Sequence, residues 1–179
     1  TEHIQLMASY NEWMNTRLYE AAMGLSDEQL NADRQAFFGS LIGTLNHLVV
    51  ADIIWLKRFA THSSGYPQLQ PVQDMTSPVA LNQVLYSDIR ELRSMRILLD
   101  SIILQWADAI TEPALDLLLD YANMKGIASR RNFYGVIMHF FNHQTHHRGQ
   151  ATTLLSQYGI DVGITDLLVI TPDQLHRDD

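Results

Sequence analysis

Residues 132–158 read NFYGVIMHFFNHQTHHRGQATTLLSQY, and this stretch decides how the rest of the chain is arranged. Phe133, Val136, Ile137, Phe140, Ala151, Leu154 and Leu155 recur three and four residues apart, the spacing of one face of an α-helix. Gly159 follows at the position where a helix closes on a left-handed residue. The pattern predicts one long helix with a buried face. Four of the eight histidines in the chain fall inside it: His139, His143, His146 and His147. On a wheel of about 100° per residue, His147 lies about 30° and His143 about 70° from the centre of the buried face, whereas His139 lies at about 110° and His146 at about 130°. His143 and His147, one turn apart, therefore face the interior, and the other two sit at its border or outside.

Three further segments carry helical spacing. From His3 to Met23, Ile4, Met7, Tyr10, Met14, Leu18 and Ala21 mark a first helix that stops at Gly24. Ser26 and Gln29 then make a capping-box pattern for a short turn. Gly39 and Ser40 open a second long helix that ends near Phe59 and is apolar almost all the way round, which predicts burial on several sides. Thr61 to Pro78, with Gly65, Pro67 and Pro71, reads as an ordered surface loop. A third helix is expected from about Pro78 to Trp106, with Leu81, Val84, Leu85, Ile89, Leu92, Met95, Ile97, Leu98, Leu99 and Ile102 on its buried side. Between Leu115 and Arg131 the pattern suits a short hairpin turning near Lys125 and Gly126. The tail from Ile160 to Asp179 is short and acidic. These segments predict an all-α fold: a four-helix bundle forming a single domain over residues 1–179, with a short hairpin before the last long helix.

Bulk composition narrows the function. The chain has 179 residues, 46% of them hydrophobic, enough for one substantial core. It has no cysteine, which excludes disulfides, thiolate metal sites and a cysteine nucleophile, so any soft-metal chemistry runs through histidine. A net charge of −8, from 20 acidic and 12 basic residues, repels a phosphate backbone, and nucleic acid is not an expected partner. No apolar run approaches a membrane span, and Thr1 to Tyr10 does not read as a signal peptide. A cytoplasmic protein without a membrane partner is expected.

Two buried imidazoles a turn apart would crowd each other without a shared partner, and a divalent metal supplies one. A third ligand has to come from another helix. His3 lies near the terminus, His62 in the loop and His176 in the acidic tail, which leaves His47, in the middle of the buried second helix with small Thr44 and Ala51 a turn to either side. Three neutral imidazoles with a position left for solvent form the open arrangement used in catalysis, and nickel, zinc and iron all suit it. Asn142, Gln144 and Gln150 are candidate supporting groups. Asp52 points toward the apolar side of its helix, so it is either paired or poised as a catalytic base.

The run Asn142-His143-Gln144-Thr145-His146-His147-Arg148-Gly149-Gln150, with Leu154 to Asp161 after it, resembles the DinB family, the damage-inducible DinB/YfiT-like metalloenzyme group, which is distinct from the DNA polymerase of the same name. Leu45-Asn46-His47-Leu48-Val49-Val50-Ala51-Asp52 resembles the second motif of that family, and Tyr10-Asn11-Glu12-Trp13 its opening helix. The resemblance implies a four-helix bundle, often a homodimer, with a divalent metal held by His47, His143 and His147. Relatives with the same bundle include metal-dependent thiol transferases, so it also implies activation of a small thiol or of water. Three functions compete on this footing. The first is a metal-dependent enzyme on a small-molecule substrate, either a thiol-dependent S-transferase or a hydrolase. The second is a non-catalytic metal-binding stress-response protein. The third is an interaction module in which the histidines are ordinary core and surface residues.

Overall fold

The computed structural model describes residues 1–172; the end of the acidic tail, including His176, lies outside the described residues. In chain order the elements are α1 (Glu2–Ala22), α2 (Asp27–Asn31), α3 (Leu41–Phe59), α4 (Gln70–Gln73), α5 (Ile89–Ala109), α6 (Glu112–Leu115), β1 (Leu118–Ala122), β2 (Ala128–Asn132) and α7 (Phe133–Ser156). The four long helices α1, α3, α5 and α7 form the bundle, in which α1 packs on α5 and α7, and α3 packs on α7 and α5. The expected all-α bundle is what the chain adopts, with a small two-stranded sheet as its only strand pairing among the described residues.

Helix ends follow the expected chemistry. Ser26 Oγ accepts from the Gln29 amide at 3.3 Å while Gln29 Oε1 accepts from the Ser26 amide at 2.9 Å, completing the capping box. Ser40 Oγ caps α3 through the Gly43 amide. Asn132 ends β2 and caps α7, accepting from the Gly135 amide at 3.0 Å and donating to the Leu115 carbonyl at 2.9 Å. The hairpin turns where expected, at Gly126, whose φ of 76° suits glycine.

The third long helix departs from expectation. It begins at Ile89, not near Pro78, and the preceding residues are irregular. Two facts account for this. Asp52 and Phe59 of α3 pair with Arg96 and Trp106 of α5, so these neighbouring helices run the same way, and parallel neighbours need a long return connection. Residues 60–88 make that return. Asp88 is also the stronger helix start: its side chain accepts from the Arg90 amide at 2.6 Å. Leu81 and Val84, expected in the core, are 50% and 54% exposed. Ile97 and Leu98 also face outward. The loop before them carries a 3₁₀ turn at Pro67–Leu69 and the short α4, and His62 within it is buried, its ring stacked on Phe133 at 3.9 Å.

The interior is layered along the bundle axis. One end is aromatic, with Phe59 stacked on Trp106 at 4.8 Å and edged by Phe133 and Phe140. The middle is a buried polar layer drawn from all four long helices. Arg96 Nη1 donates to Asp52 Oδ2 at 2.5 Å, and its Nη2 lies 3.0 Å from Asp100 Oδ1. Asn11 and Asn15 donate to Asp100 at 3.1 and 2.9 Å, and Arg148 donates to Asn11. Two arginines face two aspartates, so the layer is neutral as a whole. Burial works against the Arg96 charge, but Asp100 and Asp52 overcome it and raise its pKa. Removing one partner from such a layer strands buried charge, whereas replacing all of them with apolar groups does not. Arg96→Ala is therefore expected to cost about 3–5 kcal/mol in urea unfolding. The quadruple variant Arg96→Met, Arg148→Met, Asp52→Leu, Asp100→Leu should cost much less. Equal losses in the two proteins would contradict the layer's role.

Candidate metal centre

The three candidate histidines lie at mid-helix positions of α3 and α7. His47 projects from α3, and His143 and His147 project from successive turns of α7. Their nearest ring nitrogens all lie within 4.8 Å of one another, a group that could hold a metal ion. His47 Nε2 stands 3.2 Å from His143 Nε2 and 3.2 Å from His147 Nε2. Ligand nitrogens about 2.0–2.1 Å from a tetrahedral ion lie about 3.3 Å apart, so the spacing suits one.

The outer ring nitrogens decide which atoms carry lone pairs. His47 Nδ1 donates to the Leu81 carbonyl at 2.8 Å, and His147 Nδ1 donates to Gln150 Oε1 at 2.7 Å. Each ring is thereby held in the tautomer whose Nε2 bears a lone pair aimed at the shared centre. The amide of Gln150 is oriented in turn, because its Nε2 lies 3.4 Å from His146 Nε2. Burial, with His147 adding to it, pushes the His47 imidazole down to about 4. Burial and then the neighbouring histidines, His147 first, push His143 down to about 3. Burial also lowers His147. The three rings are neutral at physiological pH, which is the form that ligates.

Two residues that shape this centre were not legible in the sequence. Phe38 stacks on the His47 ring at 3.9 Å and meets His147 edge-on at 5.5 Å. Its backbone is pressed against α3 at Gly43, where a Cβ would collide with the Phe38 carbonyl oxygen. Leu81 contributes its carbonyl, which is free because the segment is not helical. Asn46 pins that segment: its Oδ1 accepts from the Leu85 and Tyr86 amides at 2.8 and 3.0 Å, and its Nδ2 donates to the Tyr86 carbonyl at 2.8 Å. Adjacent residues of α3 thus hold the return loop and the metal centre together. A buried Asn beside a buried His was the available signal.

The remaining expectations divide. His139 and His146 are exposed, as the wheel places them. Gln150 supports His147, whereas Asn142 is exposed. Gln144 is fully buried, and neither polar atom of its side chain has a hydrogen-bond partner among the described residues. Asp52 is 0% exposed and paired with Arg96, outside the three-histidine group. Burial pushes its carboxyl up to about 6 against the pull of Arg96. Among the described residues, no helix is long and apolar enough to cross a membrane.

Comparison with known proteins agrees with this picture. The chain is 24% identical over 159 residues to Protein DinB of Bacillus subtilis (strain 168), a match covering 88% of this chain and 87% of that protein. No solved structure matches at a significant level. The family model described as "DinB family" matches residues 1–174, nearly the whole chain, and the protein therefore belongs to the DinB family.

Proposed function

We propose that this protein is a metal-dependent enzyme in which His47, His143 and His147 hold one divalent transition metal through their Nε2 atoms. One observation carries the reading. Three imidazole Nε2 atoms converge, with 3.2 Å between that of His47 and each of the others, and the Nδ1 atoms of His47 and His147 are engaged as donors elsewhere. A cation placed between the three nitrogens would be held by all of them at once. An all-imidazole donor set suits nickel, zinc or iron. With three protein ligands, the ion would supply the Lewis acidity that makes a small thiol or water a nucleophile at neutral pH.

The chain's own residues then have defined tasks. Leu81 and Gln150 hold the tautomers of His47 and His147. Phe38 covers two of the rings and limits access of bulk water from its side. The geometry gives no support to Asp52 as the base, since it would have to leave Arg96 to act. A small-thiol-dependent S-transfer is the reaction we favour, on the family resemblance, with hydrolysis as its direct competitor. Turnover that requires added thiol selects the first, and turnover of esters or amides without thiol selects the second. Exposed Ile97 and Leu98 on α5 support a homodimer, which light scattering would test.

Metal analysis tests the centre. The wild-type protein is expected to carry one equivalent of metal and the His143→Ala and His147→Ala variants none, with Gln150→Leu binding about 10- to 100-fold more weakly. Metal retained by both histidine variants would overturn the reading.

Acid supplies a second check, on metal-free protein. Unfolded histidine binds protons below about pH 6.5, whereas folded His47 and His143 refuse them down to about 4 and 3. Their contribution is complete above about pH 6.5 and is lost as pH falls toward 4. The melting temperature of the metal-free wild type should therefore drop more steeply between pH 6.5 and 4.5 than that of His143→Ala. Parallel slopes would contradict the neutral state of the half-buried His143.

A further inference from the structure

One helical turn from the metal centre, the seam between α3 and α7 opens into a pocket of about 520 Å³. His139 links the two, its ring centroid lying 6.0 Å from that of His143 and 5.1 Å from that of Trp55. The hairpin makes the outer wall. Strand alternation puts Leu119, Tyr121 and Arg131 on one face, and Leu119 is buried, so that face turns toward the bundle. Arg130 and Asp120 take the other face and pair with each other at 2.6 Å. Tyr121 meets Trp55 at 5.3 Å with the rings inclined at 62°, so two aromatic side chains line the pocket with Arg131 at its edge.

The charge at this place is positive and uncompensated. Among the described residues neither Arg131 nor Arg58 has a carboxylate within ion-pair distance. Arg58 is half-buried, lying 4.5 Å from the Trp55 ring centroid and 5.0 Å from that of Tyr121. A hydrogen bond with Ser129, followed by Arg131 and Arg58, holds the Tyr121 phenol below its usual range, as a local excess of positive charge would. A chain of net charge −8 therefore keeps two unpaired guanidinium groups beside one aromatic pocket.

We propose that this pocket binds a small, flat organic anion, an aromatic carboxylate, with its ring against Trp55 and Tyr121 and its carboxylate on Arg131. The volume lies within the range of small-molecule sites. A planar guanidinium suits a carboxylate, and the aromatic walls favour a flat apolar body over a bare anion. The identification of the ligand as the substrate of the neighbouring metal centre rests on the metal reading above; the binding itself does not.

The test is calorimetric titration of the full-length, metal-free protein with benzoate, its neutral isostere benzamide, and inorganic phosphate. Benzoate is expected to bind saturably, with benzamide and phosphate each at least about tenfold weaker. Arg131→Gln should weaken benzoate by at least about tenfold, whereas Arg130→Gln, which removes the same charge from the opposite face, should leave affinity unchanged. Equal binding of benzamide, tighter binding of phosphate, wild-type affinity in Arg131→Gln, or no saturable benzoate binding at millimolar concentration would each overturn the proposal. Because no metal is needed, its failure is separate from failure of the metal reading. In cobalt-loaded protein, benzoate bound here should show paramagnetic broadening of its ring protons, and binding without broadening would overturn the link to the metal centre.

Discussion

The convergence of three imidazole rings on one point is the constraint around which the site is organised. Left alone, His47, His143 and His147 would turn their rings or take up protons. Burial prevents protonation, and fixed hydrogen bonds to Leu81 and Gln150 prevent two of the rings from turning. Phe38, stacked on His47, closes the remaining freedom of that ring. A cation at the shared point would find these nitrogens already in place, as in a site organised before its ligand arrives.

Such organisation needs a rigid frame, and the bundle provides it in layers. The aromatic end supplies ring packing, and the buried layer of Asp52, Arg96, Asp100 and Arg148 fixes how α3 and α5 register against α1. Arg148 follows His147 directly in sequence and reaches across to Asn11, so α7 is held in register from the next residue along. Two consecutive side chains on α7 thereby serve the three-histidine group and the architecture. The same economy appears on α3, where Asn46 secures the return loop and His47 donates to the Leu81 carbonyl of that loop.

Periodicity made much of this legible. His143 and His147 could be picked out as a pair because a spacing of four on a helix fixes a shared face, and His47 could be added because it was the one further histidine inside an apolar helix; the structure brings the three together. The hairpin was readable from Gly126 and the helix ends from Ser26, Ser40 and Gly159. What failed did so for a physical reason. Leu81, Val84 and Leu85 have helical spacing, but the parallel course of α3 and α5 requires an extended return there, and topology overrode local pattern. Phe38 and the Leu81 carbonyl act from irregular backbone, which has no period to read. Asp52 was recognisable as a buried charge in need of a partner, yet nothing local in the sequence names Arg96 as that partner.

X-ray absorption at the edge of the bound metal, in protein loaded with a single ion, addresses the central claim directly, because scattering from imidazole rings counts them. The account predicts three rings with nitrogen at about 2.0–2.1 Å and the rest of the shell made of light solvent atoms. One or two rings, or a shell dominated by carboxylate oxygen, would contradict it.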